Sequence, residues 1–172
     1  MLPDIFQLIK KLDSLDYVVE EELATILLLM LKLKKPLLLE GPPGVGKTEA
    51  SQIIASYLNT KLIRLQCYEG LDVNSAVYEW NYQKQLLSIK LTESSALSSA
   101  EKESHIFGDE FLLKRPLLQA ITESDKAPVL LIDEIDRADE EFEAFLLELL
   151  SAYQISIPEM GTIKANHIPI VV

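Results

Sequence analysis

The spacing of apolar residues changes along the chain, and each change marks an expected element. Over Leu2–Leu15 and again over Glu20–Leu33 they recur every three or four positions, which predicts two helices. Pro36 blocks continuation of the second, and Leu37-Leu38-Leu39 is a short apolar run of the kind buried on both faces of a parallel sheet. Next come a helix over Lys47–Leu58, packing through Ile53, Ile54, Tyr57 and Leu58, and a strand at Leu62-Ile63-Arg64-Leu65. Tyr68, Tyr78, Trp80 and Tyr82 then crowd into a short window, and Leu87-Ser88-Ile89-Lys90-Leu91 alternates apolar with polar. Alternation predicts strand, so an aromatic-rich hairpin is expected over Tyr78–Leu91.

Thr92–Ser104, rich in serine, alanine and glutamate, reads as a loop or a marginal helix. Gly108–Ile121 resumes a helical pattern, in which Pro116 starts a new helix or kinks an old one. A second buried strand is expected at Val129-Leu130-Leu131-Ile132. Asp139–Tyr153 is strongly amphipathic, with Phe142, Phe145, Leu146, Leu149 and Leu150 inward and acids outward. Gln154–Ala165, with Pro158 and Gly161, reads as a small hairpin, and His167–Val172 as a last apolar strand. Strands alternating with helices predict an α/β fold, a three-layer αβα sandwich around a mostly parallel sheet, in one domain over residues 1–172.

The chemistry concentrates at the ends of two of these strands. Gly41-Pro42-Pro43-Gly44-Val45-Gly46-Lys47-Thr48 is a complete G-x-x-x-x-G-K-[ST] phosphate loop in the strand, loop and helix setting that it requires. Gly41, Gly44 and Gly46 let the backbone curl and turn its N–H groups toward phosphates. The helix that starts at Lys47 and runs on through Glu49 adds the positive end of its dipole. Lys47 is expected to bridge the β- and γ-phosphates and the Thr48 hydroxyl to ligate magnesium. Asp133 and Glu134 close the Val129 strand. Alone they read equally well as an acidic cap before Ile135; beside a phosphate loop, Asp133 becomes a magnesium partner and Glu134 the group that polarises an attacking water. ATP is the expected nucleotide, because Asn59-Thr60-Lys61-Leu62 lacks the aspartate of a guanine-reading N-K-x-D segment.

Composition narrows the partners. With 48% apolar and 25% charged residues, the 172-residue chain is ordinary for a globular domain. A net charge of −11 disfavours broad attachment to nucleic acid. The tight basic group Lys32, Lys34 and Lys35 suits a helix C-terminus. Leu23–Leu33 falls well short of the roughly 20 apolar residues that span a bilayer, and Met1–Asp13 is unlike a secretory signal. A single cysteine, Cys67, with no partner for a disulfide, agrees with a cytoplasmic setting. His105 and His167 stand alone, so metal ligation by them is not expected.

With both motifs in view, the sequence resembles the AAA+ ATPases, Gly41–Thr48 corresponding to Walker A and Leu130–Glu134 to Walker B. Within them it is similar to the MoxR branch, and there to the accessory ATPases of carbon monoxide dehydrogenase maturation (CoxD-like). The residues that carry this are Arg64–Asp72, Tyr78–Tyr82 and Lys84–Leu87, and the similarity covers about residues 20–172. The resemblance implies a ring, a hexamer, with ATP between subunits. It also implies a chaperone-like action on a client enzyme, in maturation or metal-cofactor loading, with a von Willebrand factor A domain protein as partner. The Tyr78–Leu91 hairpin would be the insertion of this branch, its aromatics gripping a client or packing on their own domain.

The family pattern also includes a polar sensor residue, an arginine finger and a helical lid, none of which is matched here. Ile170-Val171-Val172 falls inside an expected core strand, so the native protein is expected to be longer and this chain to bind nucleotide weakly and turn it over slowly. Arg115 and Arg137 are the candidates for contacts across a subunit boundary, though surface pairing with acids is the better use for each. The competing readings are a nucleic-acid-associated motor, an interaction module switched by nucleotide without turnover and, last, a small-molecule kinase.

Overall fold

The computed structural model describes residues 4–42, 44, 46–92 and 98–172. Two helices come first, α1 (Ile5–Asp13) and α2 (Glu21–Leu33). Asp4 opens α1 with a reciprocal capping box to Gln7, and Lys34 ends α2 in the left-handed conformation. The helix α3 (Lys47–Leu58) follows the phosphate loop, and β1 (Leu62–Gln66) pairs in parallel with β4 (Val129–Asp133). On its other side β4 pairs in parallel with β7 (Ile170–Val171), giving the sheet order β1-β4-β7.

Period-2 alternation sends strand residues to opposite faces. Leu62, Val129 and Ile170 pack with α1, α2 and α3, in a cluster that includes Leu8, Leu12, Leu27 and Ile54. Ile63, Leu65, Leu130 and Val171 face the second cluster. That cluster is built by α4 (Val73–Val77), α7 (Pro116–Thr122), α8 (Glu140–Ala152) and the hairpin of β5 (Gln154–Ile157) with β6 (Gly161–Lys164). The architecture is the expected three-layer αβα sandwich. Helix α8 begins where Asp139 accepts a hydrogen bond from the Phe142 N–H at 2.8 Å, and it buries Phe142, Leu146 and Leu149. Asp139→Ala removes this cap and is expected to cost about 1 kcal/mol, read as a lowered denaturation midpoint with an unchanged m-value.

Three expectations are corrected. Tyr78–Leu91 is not a hairpin: β2 (Tyr78–Trp80) pairs antiparallel with β3 (Leu112–Lys114), and α5 (Tyr82–Thr92) takes up the rest. One local and one distant hydrogen bond accompany the helix that the alternating stretch forms. The Asn81 side chain accepts from the Lys84 N–H at 3.0 Å and so caps α5, while Gln85, buried, donates to the Ile106 carbonyl at 2.7 Å. The alternation at Leu87–Leu91 therefore reflects no sheet face, and Leu86, Leu87 and Leu91 lie exposed. Gly108–Ile121 is likewise not one helical segment, since a 3-10 turn at Asp109–Phe111 and β3 precede α7, in which Pro116 takes the first position.

The third correction concerns Leu37-Leu38-Leu39, which forms no strand ladder. Its Leu37 N–H donates to the Val171 carbonyl at 2.9 Å, placing the segment beside β7 at the sheet edge. Covered on one face only, it leaves Leu38 69% exposed rather than buried. The remaining segment, Thr92–Ser104, ends in α6 (Ser99–Ile106), started by a capping box between Ser98 and Glu101; residues 93–97 of the expected loop lie outside the described residues.

Trp80 is buried and meets Tyr78 and Phe107 edge to face at 6.1 and 5.2 Å, so these aromatics pack on their own domain. Tyr68 and Tyr82 are exposed.

Candidate functional site

Glycine is required at two points of the loop because the backbone there is left-handed: φ is +86° at Gly44 and +85° at Gly46. An added Cβ would meet nothing within 4 Å at Gly44, so conformation rather than space sets the residue. Pro43 and Val45 lie outside the described residues, and Gly41 and Pro42 are exposed. Gly46 is the N-cap of α3, with no side-chain cap, which leaves the first-turn amides of that helix without one of the usual internal acceptors. Such amides, together with the dipole, favour an anion.

Lys47 and Thr48 occupy the first turn of α3 and are half-buried. The Lys47 ammonium donates to the carbonyls of Gly41 and, at 2.8 Å, of Pro42, so it is folded back over the loop that bears it. Glu49 is exposed in the same turn. Burial first, and then the Glu49 charge, raise the phenol of Tyr17, which lies between α1 and α2. No sequence pattern signals this approach of Tyr17 to the start of α3.

Asp133 is the last residue of β4, on the α3 face of the sheet by strand alternation. β7 lies between β4 and the segment that leads into the loop: Leu37 bonds to Val171, and Ile132 bonds to the Val172 carbonyl at 2.8 Å. Asp133 Oδ2 accepts from Arg64 at 2.6 Å, and the same guanidinium nitrogen donates to Gln66 Oε1 at 2.7 Å. Arg64 was not singled out as a site residue; its approach to Asp133 follows from the β1–β4 register, which no local pattern in the sequence signals.

Glu134 sits at φ +57°, a left-handed conformation that costs a non-glycine residue about 1 kcal/mol. Its carboxylate pairs with Arg137 Nε, three residues on, at 2.9 Å. Arg115 pairs with Glu79. Both arginines considered for trans contacts therefore hold acids of their own chain. Thr48 and Asp133 would offer hydroxyl and carboxylate oxygens, hard donors of the kind that suit magnesium.

Cys67 follows β1 and is buried, its N–H donating to the Asp133 carbonyl at 2.8 Å. Burial, then the charges of Asp133, Asp136 and Glu134, push its thiol up to about 11. The thiol therefore stays protonated at neutral pH, and a thiol reagent is expected to modify Cys67 slowly in the folded protein and fast in denaturant. The linkage has a definite sign. A pKa raised on folding from the ordinary 9.0 leaves stability intact below pH 9 and lowers it as pH rises toward 11, which alkaline denaturation curves would read.

Two grooves of about 610 and 230 Å³ open elsewhere, around Lys61 and Glu123 at the start of β1, and contain none of these residues. Among the described residues no cluster of three or more His, Cys, Asp or Glu could hold a metal ion, and no helix is long and apolar enough to cross a membrane.

No curated protein matches the chain. One family model, the AAA domain (dynein-related subfamily), matches residues 36–167. The matched span starts at the segment leading into the phosphate loop and includes α3, β1, β4 with its two acids, α8 and the β5-β6 hairpin. The chain therefore belongs to the AAA domain family, dynein-related subfamily, and is an ATP-binding AAA+ protein.

Proposed function

We propose that the chain hydrolyses ATP with magnesium as a subunit of a hexameric ring of MoxR type. In this reading it drives chaperone-like remodelling of a client enzyme in the cytoplasm, assisting its maturation or metal-cofactor loading beside a von Willebrand factor A domain partner. The feature that supports hydrolysis is the presence in one chain of a loop lysine at the head of α3 and of two consecutive acids, Asp133 closing β4 and Glu134 following it. The MoxR assignment rests on the blocks Arg64–Asp72, Tyr78–Tyr82 and Lys84–Leu87, the first of which supplies Arg64 and Gln66 to the Asp133 network.

The loop amides and Lys47 would bind the phosphates; Thr48 and Asp133 would hold magnesium, which neutralises phosphate charge when bound. Glu134 would accept the proton of the attacking water, its carboxylate released from Arg137. Sedimentation in ATP beside a phosphate-release assay tests the reading. An ATP-dependent oligomer that turns over supports it, and a monomer that binds ATP without turnover sinks the ring ATPase.

A second reading, a nucleotide-switched module without turnover, is favoured by one observation: Asp133 and Glu134 are each engaged by an arginine. A nucleic-acid motor is less well supported by a net charge of −11, and a salt-dependent gel shift would reveal it.

A further inference from the structure

We propose that Arg64 is a positioning residue that holds Asp133 as its resident counter-ion and thereby sets how much magnesium nucleotide binding requires. The inference rests on the ATPase reading above and concerns a residue to which that reading gives no role. Three observations carry it.

The guanidinium lies 2.6 Å from Asp133 Oδ2, so one carboxylate oxygen is already engaged by a full positive charge. Gln66 Oε1, 2.7 Å from the same nitrogen, steadies the guanidinium at the strand end. The pair is also unequally covered, with the Arg64 side chain 53% exposed and that of Asp133 21% exposed, so the guanidinium can withdraw into solvent while the carboxylate stays.

Strand pairing does not need this contact. β1 and β4 are already joined by a five-residue parallel register from Leu62↔Val129 to Gln66↔Asp133. What the contact changes is the charge that Asp133 presents on the α3 face, where Lys47 and Thr48 begin their helix. A carboxylate shared with a guanidinium offers less negative potential to a second cation, and the two cations repel each other. Arg64 thus raises the magnesium concentration at which Asp133 contributes to binding. Substitution by lysine keeps the charge, whereas substitution by glutamine or methionine removes it and keeps an unbranched stem.

The test is binding of a fluorescent ATP analogue over a series of free magnesium concentrations, with no turnover required. Arg64→Gln is expected to lower the half-saturating magnesium by about 2- to 5-fold, the scale of one partly exposed charge pair. Arg64→Met carries the same expectation should the glutamine variant fold poorly, and Arg64→Lys should behave like the unaltered chain. In an Asp133→Asn background, Arg64→Gln should make no difference. An unchanged or increased magnesium requirement in both Arg64→Gln and Arg64→Met overturns the proposal. If the unaltered chain binds the analogue and Lys47→Ala abolishes that binding, the nucleotide reading survives such a result; if the unaltered chain binds none, both fall.

Discussion

Lys47→Ala is expected to weaken ATP binding by at least about 100-fold, since charge-assisted hydrogen bonds contribute roughly 1.5–3 kcal/mol each and this ammonium is placed to make more than one. The side chain acts twice. In the structure it bonds to the Gly41 and Pro42 carbonyls across the loop, and toward a nucleotide it brings positive charge to a chain of net charge −11. Lys47→Arg separates the two roles, because it keeps the charge but not the compact geometry with which the ammonium reaches both carbonyls. Calorimetric titration with ATP measures the effect, and thermal melting without nucleotide checks that the fold is kept. An alanine variant that binds within threefold of the unaltered chain would remove the phosphate loop from the account.

Glu134→Gln is expected to leave ATP binding nearly intact while lowering turnover by about 10²- to 10⁴-fold, the usual worth of a general base. The substitution keeps size and hydrogen-bonding reach and removes only the capacity to take a proton. It also removes the ionic partner of Arg137, 2.9 Å away, so a bound state that becomes more stable in the variant would fit with a freed arginine. The expected signature is a split between two measurements on one sample, unchanged titration with ATP and lost phosphate release. Equal loss of both would mean that Glu134 supports the pocket rather than the chemistry. Its left-handed backbone, φ +57°, makes that alternative a physical one, since a residue held in this conformation also shapes the turn after β4.

How far the sequence could be read depended on whether a signal was local. The strand at Val129, the capped amphipathic helix after Asp139 and the β5-β6 hairpin follow from patterns complete within about fifteen residues, and each forms as expected. The phosphate loop is local as well, and Gly44 and Gly46 take the positive φ that a tight loop needs. The segment between β1 and α7 was misread because its structure is decided at a distance. β2 finds its partner in β3 some thirty residues on, and the helicity of α5 depends on Gln85 reaching the Ile106 carbonyl.

The same holds within the site. Lys47, Asp133 and Glu134 announce themselves as motifs, whereas Arg64 and Tyr17 enter only through sheet register and helix packing. Nor did periodicity show that β7 separates the loop segment from β4, because parallel order is fixed by crossovers and not by any one strand.

The sealed thiol of Cys67 has a practical meaning. The only cysteine of the chain is buried, feels the charge of three acids and is held protonated, so maleimide chemistry at neutral pH starts from a nearly silent background without mutating it away. A cysteine placed at an exposed position of α5, such as Leu87, would then take a spin label or fluorophore selectively. Distances from that label would follow α5 as nucleotide is added, in an otherwise unaltered protein.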